Sequence, residues 1–135
     1  MSVRVFSIEE ANRLVPLVEE KLHWFQDAVQ RIVQTQDSLS VLLVLGAENP
    51  DSSEHRELVD KRTLLEDLIE QYSRELEEFN RLGCLIKDLE QGLVDFYGHK
   101  DGRLIFLCWR MGEQGIQYWH EIHSGFGGRR PVSEL

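Results

Sequence analysis

The 135-residue sequence predicts an α+β fold: a long antiparallel helical hairpin followed by a small antiparallel sheet of three or four strands. Three observations lead there. Apolar residues recur every three or four positions through the first 80 residues or so. After Gly83 that period gives way to short runs of β-formers separated by turn residues. Composition changes at the same place. Residues 1–90 carry 19 Asp/Glu against 10 Lys/Arg, whereas residues 91–135 carry five of each, with eight of the ten glycines and seven of the twelve aromatics. The length suits one domain over 1–135, with the hairpin at 7–82 and the glycine-rich β region and C-terminal tail at 83–135.

The first helix begins at a capping box. Ser7 can accept from the N–H three residues on, and the Glu10 carboxylate can reach back. Two acids in the first turn also suit the positive end of the helix dipole. Pro16 removes a donor and disfavours helical geometry at Val15, which predicts a short helix over 8–14 and then a kink or restart. From there Val18, Leu22, Phe25, Val29 and Ile32 form an apolar stripe, and the helix continues through "SLSVLLVL" until Gly46 ends it. "GAENPDSS" reads as a loop, with Asp51 and Glu54 as the next cap. The second helix places Leu58, Leu65, Tyr72 and Phe79 seven residues apart, with Ile69 and Leu76 in the intervening turns. Its other face carries Glu66, Glu70, Arg74, Glu75, Glu77 and Glu78, which is either a docking surface or an ordinary solvated face. Two helices of this length cannot bury both stripes on each other alone, so a homodimer through the hairpin is expected.

The β region starts with "CLIKDL", "GLVDFYG" and "RLIFLCWR". "GHKDG" is a hairpin turn with Asp101-Gly102 at its tip. Both faces of the 103–110 strand are largely apolar, so one is expected to pack on the helices and the other under the tail. Ile116–Ile122 reads as a fourth strand, with a short helix as the alternative.

No run approaches the ~18 apolar residues of a membrane span, and the N-terminus lacks a secretory signal pattern. A cytoplasmic protein is the expectation, with Cys84 and Cys108 as buried, inert thiols. The net charge of −9 argues against nucleic acid as a partner.

Lys87-Asp88, Gly92-Leu93-Val94-Asp95-Phe96, Cys108-Trp109-Arg110, Gly112-Glu113, Trp119-His120-Glu121 and Gly125-Phe126 fall in an order that resembles the bacterial proteins grouped as domain of unknown function family 2203. The opening "FSIEEANRLVPLV" is similar to the start of those proteins, and the resemblance spans nearly the whole chain. It implies a soluble bacterial protein with no assigned activity. Residue 123 departs from the family pattern, which tends to have a carboxylate there. His123 keeps the capacity to ligate a metal but not the charge.

Chemistry concentrates in "YWHEIHSGFGGRR". His120, Glu121 and His123, with Asp95 from a neighbouring strand, form a candidate site for Zn²⁺, Mn²⁺ or Fe²⁺. No regular geometry recruits all three C-terminal residues. On a strand Glu121 and His123 share one face and His120 takes the other; on a helix the two histidines align. The competing reading makes His120 a hydrogen-bonded structural histidine and His123 a surface one. A small-molecule site is the second candidate: Arg110 and Arg129 would grip an anion beside Trp109, Trp119 and Phe126. Its alternative pairs Arg110 with Glu113 or Glu121. Nothing supplies a nucleophilic triad. Two functions follow: a small-ligand or divalent-metal binder, catalytic or not, with its site around His120, and a non-enzymatic scaffold acting through the acidic helices.

Overall fold

A computed structural model describes residues 3–135. Two helices, α1 (Ile8–Val44) and α2 (His55–Asn80), precede a five-stranded antiparallel sheet in the order β1 (Cys84–Asp88), β2 (Leu93–Lys100), β3 (Arg103–Arg110), β4 (Tyr118–Glu121), β5 (Arg130–Pro131). The α+β class holds. The sheet has one strand more than expected, because β5 is a two-residue segment that pairs with Tyr118 and Trp119 and is too short to show a period. The 116–122 segment is a strand only over Tyr118–Glu121.

The predicted break at Pro16 does not occur: α1 runs through it without interruption. Pro16 is exposed, whereas Ala11, Val15, Val18 and Leu22 on the opposite side are buried. Asn12, whose carbonyl loses its helical donor, is also exposed, and burial of the stripe on both sides keeps the helix in register. The cap is reciprocal as expected. The Glu10 N–H donates to Ser7 Oγ at 3.0 Å and the Ser7 N–H to Glu10 Oε1 at 3.0 Å, which holds the Glu10 carboxyl below its ordinary range. The second cap sits one residue later than Asp51: Ser52 Oγ accepts from the Glu54 N–H and donates to the Glu54 carboxylate. In α2, Leu68 rather than Ile69 turns inward; Ile69 is exposed.

The chain forms two compact units, residues up to His23 together with Glu78–Leu135, and Trp24–Glu77. In the second, Phe25 packs edge-on against Trp24 and Tyr72, and Leu42, Ala47 and Leu58 close the loop end, so the two helices run antiparallel. In the first, Phe6 meets Phe96 edge-on at 5.3 Å, and its N–H donates to the Tyr97 carbonyl at 2.7 Å.

The β2–β3 hairpin turns at Asp101-Gly102, both with positive φ, and pairs Lys100 with Arg103. That turn fixes the register of the site described below. Gly92 precedes β2 with φ +72°, and a Cβ there would stand 2.5 Å from the Cβ of Met111. The left-handed backbone and the clash act together, so Gly92→Ala is expected to cost about 2 kcal/mol or more. Urea denaturation measures it; a loss of only a few tenths would contradict this packing.

Candidate metal centre

The hairpin register sets Asp95 opposite Cys108, and the β3–β4 register sets His120 opposite Phe106, two residues from Cys108. Side chains alternate along a strand, so Asp95, Phe106, Cys108 and His120 share one face of the sheet. Their donor atoms converge. A His120 ring nitrogen, a carboxylate oxygen of Asp95 and Cys108 Sγ all lie within 4.8 Å of one another, and all three residues are buried. They form the floor of a pocket of about 180 Å³, whose walls include Leu93, Ile122, Phe126 and Lys87.

The two nitrogens of His120 have different partners. Nδ1 donates to the Glu121 carbonyl at 2.8 Å, and Nε2 faces both oxygens of Asp95 at 3.1 and 3.2 Å. Burial opposes the imidazolium, but hydrogen bonds to Asp95, Cys108 and the Glu121 carbonyl outweigh it and raise the His120 pKa to about 10. The raised pKa favours the protonated imidazole, with Nε2 directed at the Asp95 carboxyl. A nucleophilic triad divides the imidazole, one nitrogen to the acid and one to the nucleophile. Here the nitrogen nearest Asp95 is Nε2, while Nδ1 is committed to a main-chain carbonyl. That commitment is the contact which, in metal sites, orients a histidine and leaves its other nitrogen free to ligate.

The remaining residues expected at a site lie elsewhere. Glu121 projects from the opposite face of β4 and pairs with Arg103 through two bonds of 2.7 and 3.0 Å, which hold its carboxyl below the usual range. His123 is exposed in the turn after β4. The structure thus unites His120 and Asp95 and brings neither Glu121 nor His123 to them. Trp109 and Trp119 are buried on the face opposite His120. The Trp109 indole N–H donates to the Glu113 carbonyl at 3.0 Å. Arg129 is bound to Glu113 at 2.6 Å and to the Cys108 carbonyl at 3.2 Å, and lies over Tyr118 and Phe126. Arg110 contributes its backbone N–H to Glu113, while its guanidinium lies 5.5 Å from the Phe126 ring. The arginines thus fasten the tail, and neither lines the pocket above His120.

Cys108, expected as a buried and inert thiol, stands beside the Asp95–His120 pair. Its alternation with apolar neighbours predicts burial, and it is buried; the dry, inert surroundings that were expected are replaced by Asp95 and His120. The signal was available. A two-residue Asp-Gly turn pairs Lys100 with Arg103, and five steps outward along each strand reach Asp95 and Cys108. Cys84 does match the expectation: burial raises its pKa to about 12, which leaves the thiol inert.

No curated protein and no solved structure is detectably similar to the chain. A family model described as an uncharacterized conserved protein, DUF2203, matches residues 4–132. The three strands that carry Asp95, Cys108 and His120 all lie within that match, and the chain belongs to this family.

Proposed function

We propose that the protein binds one divalent transition metal ion through Asp95, Cys108 and His120, and a small molecule above it. The observation that carries this reading is the convergence of three chemically suitable donors within 4.8 Å of one another at the floor of a pocket. A tetrahedral centre with bonds of about 2.0–2.3 Å separates its donors by roughly 3.3–3.8 Å, so small side-chain rotations suffice. Thiolate, imidazole and carboxylate together suit Zn²⁺ or Fe²⁺ better than Mn²⁺, which prefers oxygen. Metal would replace the Nε2 and thiol protons, with Nδ1–H still held by Glu121. Three protein donors leave a coordination position open to the pocket, the arrangement of metal sites that take up water or substrate.

Cobalt substitution tests the ligand set. Titration with Co²⁺ is expected to produce a thiolate-to-metal charge-transfer band that saturates at one equivalent and is absent from Cys108→Ser. Saturation without such a band would remove Cys108 from the site. The adaptor reading makes a different prediction, because it loses partner binding on charge reversal of Glu66, Glu70 and Glu77 and is indifferent to His120.

We also propose a homodimer through the helical hairpin. Val41, Val44 and Leu45 at the end of α1 are 59%, 87% and 60% exposed, and a second copy is the simplest cover for them. Sedimentation at micromolar concentration is expected to give twice the 15.8 kDa chain mass; a monomer would remove this proposal.

A further inference from the structure

We propose that the pocket above Asp95, Cys108 and His120 selects a small monocarboxylate with a short apolar body, seated between the metal and the Lys87 ammonium. The inference rests on the metal reading and adds the class of ligand. Charge balance sets the sign. A divalent ion held by one carboxylate, one thiolate and a neutral imidazole is formally neutral. Among the described residues, Lys87 is the one additional charged side chain in the pocket wall, and its ammonium stands 4.6 Å from the ring centroid of Phe106. Metal and lysine together therefore leave one uncompensated positive charge, which a monoanion neutralises.

Volume and lining set the body. The cavity is about 180 Å³, room for roughly six waters at ~30 Å³ each of liquid volume. Leu93, Phe106, Ile122 and Phe126 supply apolar walls, while Ser124 and Gly125 form part of the rim. A carboxylate of four or so carbons fills that space with its charged end on the metal and Lys87. A dianion would exceed the available charge, and a ligand without charge would forgo the ion pair with Lys87, whose exposed ammonium would stay with water. Of the arginines that the sequence marked for an anion, Arg129 is paired with Glu113 and Arg110 lies against Phe126 outside the pocket lining, so selection falls to this lysine.

The test uses the full chain loaded with Zn²⁺, its zinc content measured first, then titrated calorimetrically with acetate, propionate and butyrate. Affinity is expected to rise about fourfold per methylene, and butylamine is expected not to bind. Lys87→Met, which keeps the apolar stem and removes the charge, is expected to weaken butyrate about tenfold or more while retaining one equivalent of zinc. Zinc-loaded protein that binds butyrate no better than acetate, or a Lys87→Met variant that binds it as well as the parent, overturns the ligand class and leaves the metal reading standing. Protein that takes up no zinc overturns both.

Discussion

His120→Ala is expected to destabilise the metal-free protein by about 3–5 kcal/mol. Asp95 and His120 are only 2% and 3% exposed, so removal of the imidazolium leaves a buried carboxylate without its hydrogen-bonded partner. At this chain length the loss lowers the melting temperature by roughly 10–20 °C. Asp95→Asn is expected to be milder, about 1–3 kcal/mol, because His120 can then lose its charge and keep its bond to the Glu121 carbonyl. Replacing both residues with leucine removes both charges together and is expected to recover much of the loss, since well-packed apolar groups often substitute for a buried pair. A His120→Ala variant within 1 kcal/mol of the parent would show that the pair is not buried as described.

The same pair gives stability a definite pH dependence. The His120 pKa is raised in the folded state, from an ordinary 6.5 to about 10. A raised pKa means that the folded state holds the proton more tightly, so the contribution is complete below about 6.5 and disappears as pH rises through about 10. Denaturation midpoints of metal-free protein are expected to fall across that interval. Asp95→Asn should flatten the decline.

Zinc is expected to produce the second large effect. A ligand that binds only the folded chain stabilises it by about 2.7 kcal/mol at a hundredfold excess over its dissociation constant, and by about 4.1 kcal/mol at a thousandfold excess. For this chain the gain is roughly 5–15 °C in melting temperature. Cys108→Ser and Asp95→Asn should reduce it sharply, because each removes one of three donors. Glu121→Gln and His123→Ala should leave it unchanged: one side chain is engaged by Arg103 on the other face, and the other is exposed in a turn. Equal loss of zinc stabilisation in those two variants would contradict the donor set and favour a ligand cluster along 120–123.

Much of the architecture was readable because its causes are local. The Ser7–Glu10 cap, the stop at Gly46 and the Asp101-Gly102 hairpin each rest on a few adjacent residues. Pro16 was misleading because a local penalty was set against a packing gain that depends on which side of the helix faces water. β5 has only two residues and carries no pattern of its own. In the site, His120 and Asp95 stood out as polar residues in an apolar setting. Glu121 and His123 were drawn in by closeness along the chain, which on a strand sends neighbours to opposite faces. Cys108 was hidden by a pattern that predicts burial but not the identity of the cross-strand neighbours. The hairpin register supplies that identity and has to be followed five residues from the turn.

The central claim is that Asp95, Cys108 and His120 act together as a metal site. The most direct measurement is the transition-metal content of protein purified without an affinity tag, compared with an Asp95→Asn/Cys108→Ser variant purified in parallel. About one equivalent of zinc or iron per chain in the parent, and close to none in the variant, is the predicted result. Less than roughly a tenth of an equivalent in the parent, with no rise in melting temperature on adding Zn²⁺ or Fe²⁺, would contradict it and leave the three residues as a buried ion pair beside a thiol.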